Sequence, residues 1–120
     1  MAEIVGYVNE RVISSLGLSI APGTPILLGE SNIEHMKTSH PDAFEKYFDS
    51  LKLILEEPDF INRNPKDGSV KYIKQLDDNV IVGIRMSQAG SVFARTIYTF
   101  QLKKFEQYLS NGYLIDMRGK

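Results

Sequence analysis

The spacing of apolar and polar residues along the chain predicts two consecutive helices in the first half, separated near Pro41. Apolar side chains recur at helical spacing through residues 44–55 with charged residues between them, which predicts an amphipathic helix that Pro58 ends. Pro41 suits the first position of that helix, and it disfavours helical geometry at His40. A shorter helix, opened by a capping-box sequence at residues 31–34, therefore ends at His40.

The second half reads as a run of strands. Segments 70–76, 80–87 and 91–100 are rich in β-branched and aromatic residues and are joined by turn-forming residues, which predicts an antiparallel meander. A helix through residues 102–109 follows, and residues 113–117 are typical of an edge strand. Near the N-terminus, candidate strands at 3–8 and 26–28 flank a helix at 10–16, with Asn9 as its N-cap and Gly17 as its stop.

This order of elements predicts an α+β fold. We expect N-terminal helices packed on one face of an antiparallel sheet of about four strands, followed by a C-terminal helix. The length of 120 residues predicts a single domain that spans residues 1–120.

The amino-acid composition excludes several classes of functional site and disfavours others. The 14 Lys and Arg against 15 Asp and Glu give a net charge of −1, which disfavours a broad basic surface for nucleic acid but allows a local one. Cysteine is absent, which excludes disulfides, thiolate metal sites and thiol nucleophiles. The sequence has no transmembrane-length apolar run and no signal-peptide pattern at its start, so we expect a cytoplasmic protein without a membrane partner.

Strand parity predicts a polar sheet face. If both hairpin loops have an even number of residues, Lys74, Arg85 and Thr96 share one face with Tyr72 and Tyr98. Gly83 and Ala94 fall on the same side. The opposite face packs on the amphipathic helix and carries Ile73, Val80, Val82, Ile84, Phe93 and Ile97, with Arg95 among them. Two cations beside hydroxyls suit a phosphate, although a solvated face with scattered cations has the same spacing.

Two histidines, His35 and His40, are the candidate acid and base groups, since an imidazole titrates near neutral pH. A purely structural pair is the alternative, with His40 capping the helix that begins at Pro41. Their spacing is not that of a zinc-protease helix, and no third His or Cys is present, so no metal is expected. The sequence also lacks a Gly-rich phosphate loop, and no cofactor is expected.

The order of these motifs resembles that of the phage-associated nuclease domains of the barnase–EndoU–colicin–RelE group. The matching strings lie between about residues 26 and 98: His35-Met36-x-x-x-His40-Pro41, Glu57-Pro58-Asp59, Tyr72-Ile73-Lys74, Val82-Gly83-Ile84-Arg85 and Arg95-Thr96-Ile97-Tyr98. The resemblance implies a helical part before a four-stranded sheet that bears a metal-independent site. It assigns catalysis to His35, His40, Lys74, Arg85 and Thr96, and substrate binding to Tyr72, Arg95 and Tyr98.

The resemblance also implies an activity, namely endoribonuclease cleavage in which a 2′-hydroxyl attacks the adjacent phosphate. RNA is then the expected partner, together with an inhibitor or antitoxin protein, in a phage or toxin setting. Two alternatives stay open. One is a non-catalytic module that binds RNA, a nucleotide or a protein on the same fold. The other is an assembly protein that uses the polar face as a subunit contact.

Overall fold

The computed structural model of the protein describes residues 2–87 and 90–118, and part of the predicted turn at 88–90 lies outside them. The described chain forms a seven-stranded sheet in the order β1-β2-β6-β5-β4-β3-β7. The strands are β1 Glu3–Val8, β2 Thr24–Leu28, β3 Phe60–Arg63, β4 Val70–Gln75, β5 Asn79–Met86, β6 Val92–Phe100 and β7 Ile115–Asp116. Strands β2 and β6 pair in parallel, and every other neighbouring pair is antiparallel.

The prediction of an α+β fold is confirmed, but the sheet differs from the predicted one. It has seven strands instead of about four, and it is mixed instead of purely antiparallel. Strands β1 and β2 join the meander because β2 pairs with β6, a long-range contact that local sequence does not encode. Strand β3 lies in a stretch that begins at Phe60 and that the sequence pattern did not identify as a strand.

Five α-helices occur in the described residues: α1 Glu10–Leu16, α2 Glu30–Ser39, α3 Pro41–Tyr47, α4 Leu51–Glu56 and α5 Leu102–Ser110. The caps of α1 are as predicted, with Asn9 Oδ1 accepting a hydrogen bond from the Val12 N–H at 2.8 Å and Gly17 left-handed at φ 65°. The predicted capping box at 31–34 is wrong. Gly29 caps α2, and Oδ1 of Asn32 accepts a hydrogen bond from its N–H at 2.9 Å.

The predicted amphipathic helix is interrupted by a 3-10 turn at Phe48–Ser50, which separates α3 from α4. Its apolar stripe is nevertheless buried against one side of the sheet, here called the core face. The residues that meet there include Tyr47, Leu51, Ile54 and Leu55 from the helices, and Tyr72, Val80, Val82, Ile84 and Ile97 from the strands.

The opposite side of the sheet, here called the open face, is covered over part of its area. Helix α5 places Phe105 against Phe60, Ile73, Ile81 and Phe100 in a second apolar cluster. The prediction that the helices before the meander pack on the core face is therefore correct for α4, while α5 packs on the other side. No helix in residues 2–87 and 90–118 is long and apolar enough to cross a membrane.

The register of the meander decides which polar residues reach the open face. Gln75 pairs with Asn79, so the β4–β5 loop has the three residues 76–78, and an odd loop reverses the predicted parity. Lys74 lies opposite Val80 and therefore on the core face, so the prediction that it shares a face with Arg85 is wrong. Tyr72, also predicted on the polar face, lies opposite Val82 and is fully buried.

A β-bulge in β6 shifts parity a second time. Gly83 pairs with Thr96 while the next residue, Ile84, pairs with Ala94, which leaves Arg95 as the extra residue. The bulge explains how Arg95, predicted to lie among apolar residues, is exposed. It also explains why Ala94 is buried in the core instead of joining the polar face. Phe93 and Ile73, both predicted on the core face, lie on the open face instead, because the bulge reverses the parity of Phe93 and the odd β4–β5 loop that of Ile73.

Candidate active site

A cavity of about 310 Å³ lies on the open face beside the region that α5 covers. Three cationic side chains line it, contributed by three strands: Lys71 from β4, Arg85 from β5 and Arg95 from β6. The other lining residues are His35, Asn64, Asp67, Ser69, Val70, Gly83, Ile84, Thr96 and Tyr98. Such a concentration of cations suits an anionic group, although the net charge of the chain is only −1.

The floor of the cavity is one row of residues across the sheet. Lys71 lies opposite Gly83, and Gly83 lies opposite Thr96. A Cβ atom at Gly83 would lie 2.9 Å from Cγ2 of Thr96, closer than van der Waals contact allows. Glycine at this position therefore provides the space that Thr96 occupies between the two neighbouring strands.

Asp67 occupies part of the cationic site. Its Oδ2 accepts a hydrogen bond from Nη2 of Arg85 at 3.0 Å. Hydrogen bonds from the backbone N–H and the hydroxyl of Ser69, together with Arg85, hold the pKa of Asp67 below its usual 3.8. The two side chains are 46% and 41% exposed, so solvent screens the pair and an anionic ligand can compete for Arg85.

The two histidines lie in different positions. His35 is exposed on α2 and lines the cavity, with its Nδ1 atom 3.5 Å from Oγ of Ser39. His40 lies between α2 and α3 and does not line the cavity. Its ring stacks on Tyr98, with the ring centroids 5.3 Å apart and an interplanar angle of 29°.

Tyr98 connects His40 to the cavity. Burial raises the pKa of the Tyr98 phenol to about 12, with a smaller contribution from Tyr108. The hydroxyl is therefore protonated at neutral pH, where it can donate a hydrogen bond or a proton but is a poor base.

Lys74 and Tyr72, both named by the sequence, are not brought into this cavity. Nζ of Lys74 lies 3.5 Å from Oδ1 of Asp59, and the two side chains are 17% and 18% exposed. Lys74 lines a different cavity of about 360 Å³ together with acidic residues, among them Glu56 and Glu57. The Tyr72 hydroxyl is buried without a hydrogen-bond partner among the described residues, and burial raises its pKa.

Sequence reasoning missed two residues of the site, Lys71 and Asp67. An odd β4–β5 loop places Lys71 instead of Lys74 on the face of Arg85, but the sequence of residues 76–78 does not indicate that loop length. Asp67 lies in the turn-rich segment after β3, and only the tertiary structure brings it to Arg85. Within the described residues, no group of three or more His, Asp or Glu side chains is placed to hold a metal ion.

The comparisons with known proteins give one match. No curated protein and no solved structure matches the chain. A protein-family model does match, over residues 3–107, and its description is phage-Barnase-EndoU-ColicinE5/D-RelE like nuclease3. The match includes β1 to β6 and all the residues that line the 310 Å³ cavity. The chain therefore belongs to this family of nuclease-like domains.

Proposed function

We propose that the protein is a metal-independent endoribonuclease and that the cavity with Lys71, Arg85 and Arg95 is its active site. The observation that carries the proposal is the convergence of these three cationic residues with His35, Thr96 and Tyr98 around one cavity. A phosphodiester fits this combination, because the cations bind its charge while the other groups move protons. Membership of a nuclease family supports the same class of substrate.

The proposed reaction uses the 2′-hydroxyl of RNA as the nucleophile. The 2′-oxygen forms a bond to phosphorus, the bond from phosphorus to the 5′-oxygen breaks, and a cyclic phosphate and a 5′-hydroxyl result. His35 accepts the proton of the 2′-hydroxyl. The Tyr98 phenol, protonated at neutral pH, donates a proton toward the leaving 5′-oxygen.

Residues on the floor of the cavity stabilise the negative charge of the transition state. Lys71 and Arg85 hold the charge that develops on the phosphorane oxygens, and the Thr96 hydroxyl donates a hydrogen bond to them. Lys71 thus takes the role that the sequence assigned to Lys74. Arg95, from the bulge, binds a neighbouring phosphate. His40 is a positioning residue, since its contact with the site is through the ring of Tyr98.

The biological setting belongs to the same proposal. The family description names phage proteins, which supports an effector that cleaves RNA in a cytoplasm, as expected from the sequence. An inhibitor or antitoxin that binds over the cavity stays a prediction of this proposal.

Incubation of purified protein with RNA in EDTA tests the activity. We expect cleavage by the wild type, loss of cleavage in His35→Ala and Arg85→Ala, and retention in Lys74→Met, whose side chain lies on the core face. His40→Ala is expected to reduce the rate without abolishing it. Equal RNA loss with the wild type and the His35→Ala variant would contradict the proposal.

A second candidate is a module that binds RNA without cleaving it. The observation in its favour is that Asp67 already pairs with Arg85, and that His35 is the one histidine of the described residues that lines the cavity. This function predicts RNA binding without turnover. It also predicts tighter binding of inorganic phosphate by Asp67→Asn, because the competing carboxylate is removed. Turnover in EDTA that depends on His35 decides against it.

A further inference from the structure

A second cavity of about 350 Å³ adjoins the active-site cavity on the open face. Arg85 and Arg95 line both cavities, so the two spaces are neighbours that share these two residues. The remaining residues of the second cavity differ in character from those of the first. They combine the apolar side chains of a phenylalanine and a methionine with small polar residues and a glycine: Phe93, Met86, Ser31, Asn32, Ser87 and Gly29.

Phe93 belongs to a row of residues that crosses four strands. Arg85 lies opposite Phe93, Phe93 lies beside Leu27, and Leu27 lies opposite Ile4. Residues paired in this way point to the same side of a sheet, so the apolar row continues directly from Arg85. Phe93 and Leu27 are partly exposed, and Ile4 is 54% exposed. The open face therefore presents an apolar strip next to its cationic site.

We propose that the second cavity binds the nucleobase next to the scissile phosphate of single-stranded RNA, with the base stacked on Phe93. The inference rests on the proposed function, because it needs a phosphate in the first cavity. The shared arginines supply the charge complementarity, since the sugar–phosphate chain between the two cavities passes their guanidinium groups. Stacking on an aromatic side chain contributes to binding of any base, so the ring gives affinity more than sequence selection.

Polar groups around the ring are placed to contact the edge of that base. Oδ1 of Asn32 already accepts the hydrogen bond from Gly29, so the amide NH₂ of Asn32 is the part of this side chain that can donate to a ligand. The hydroxyl of Ser31 can donate or accept. A base in a duplex is stacked and paired with its neighbours and cannot reach these groups, so the subsite selects single strands.

Binding of a short fluorescent 2′-O-methyl RNA tests the subsite, because this probe lacks the nucleophilic hydroxyl and is not cleaved. We expect Phe93→Leu to weaken binding about tenfold and Phe93→Tyr, which keeps the ring, to bind like the wild type. Tyr113→Leu is the matched control, since Tyr113 is 56% exposed and lines neither cavity. An abasic position next to the bound phosphate is expected to weaken wild-type binding equally and to add nothing to the loss in Phe93→Leu.

The outcomes separate the subsite from the activity. If Phe93→Leu binds the probe as tightly as the wild type, or if the same probe annealed into a duplex binds equally well, the subsite is wrong. RNA cleavage in EDTA that depends on His35 would still support the nuclease in that case. Conversely, Phe93-dependent binding without any cleavage supports the subsite and contradicts the catalytic proposal. Thermal unfolding of each variant confirms that the compared proteins are folded.

Discussion

Strand β4 carries two lysines with opposite surroundings. Lys71 lines the open-face cavity with Arg85 and Arg95, where positive charge is concentrated. Lys74, on the core face, is largely buried and pairs with Asp59 in a cavity that also contains Glu56 and Glu57. Three residues along a strand reverse the side on which a side chain projects, so the same residue type serves a different purpose at each position.

The carboxylates beside the two cationic groups differ in the same way. The Asp59–Lys74 pair is mostly shielded from water, and Asp59 also accepts a hydrogen bond from the Gln75 N–H at 2.8 Å, which ties it to β4. The Asp67–Arg85 pair is open to solvent and lies at the cavity that we assign to substrate. A ligand anion can replace Asp67 at Arg85, whereas Lys74 is committed to the structure.

The largest expected effect separates the two lysines by activity. Lys71→Met removes a cation from the proposed transition-state site, and we expect kcat/KM for RNA cleavage to fall about 100-fold. Lys74→Met is the matched control, and its cleavage rate is expected to equal that of the wild type, because its side chain is on the core face. Both are measured on one RNA substrate under the same conditions. A larger loss in Lys74→Met than in Lys71→Met would reverse the comparison.

The next largest effect is a loss of stability on substitution of Gly83, which lies opposite Lys71 in the floor of the cavity. Gly83→Ala places a Cβ atom 2.9 Å from Cγ2 of Thr96, and we expect the free energy of unfolding to fall by about 1–3 kcal/mol through overpacking. Urea unfolding measures the change. Adding Thr96→Ser removes the clashing methyl group and should restore part of the loss. If Gly83→Ala alone is as stable as the wild type, the strands around Thr96 can move to accommodate the added Cβ atom, and the prediction is wrong.

The two lysine substitutions should affect stability in the opposite order from activity, with the larger loss in Lys74→Met. Lys74→Met leaves the largely buried Asp59 carboxylate without its cation, and we expect a loss of about 1 kcal/mol in the free energy of unfolding. Lys71→Met is expected to change this free energy by less than about 0.5 kcal/mol. Equal stability losses in both variants would contradict the structural role that we assign to Lys74.

The smallest expected effect concerns pH and Asp67. The pKa of Asp67 in the folded protein lies below its usual 3.8, so its ionised form stabilises the fold above that pH and the contribution is lost as the pH falls further. Asp67→Asn is therefore expected to melt slightly below the wild type at neutral pH. The difference should disappear as the pH falls below 3.8. Melting temperatures recorded across this range test the sign, which is wrong if the difference grows on acidification.

Local sequence patterns were sufficient to predict most of the helices and strands. Asn9 and Gly17 mark the ends of α1 because capping depends on neighbouring residues alone, and Pro41 begins α3 for the same reason. The three meander strands and α5 follow from side-chain periodicity and turn residues. Strand β3 and the break between α3 and α4 were missed, since long-range pairing and packing decide them.

The candidate site was predictable in part. Arg85, Thr96, Tyr98 and His35 line one cavity, as their order along the chain suggested, and Arg95 joins them through the bulge. His40 touches the site only through Tyr98. Lys74 and Tyr72 were assigned to the wrong face because the β4–β5 loop has an odd number of residues. A single residue of loop length reverses every side chain of a strand, and no local signal in residues 76–78 fixes that length.

The sequence by itself determined the residue types available for chemistry and the helices and strands that carry them. Without cysteine, thiol chemistry is excluded, and histidine, lysine and arginine are among the residue types that the sequence offers for proton transfer and charge stabilisation. The tertiary structure alone decided which of these side chains meet. Lys71 lies in the cavity and Lys74 does not, Asp67 pairs with Arg85, and Phe93 lies opposite Arg85 on the neighbouring strand. Strand register and a bulge control these contacts, and both are settled by pairing between distant segments of the chain.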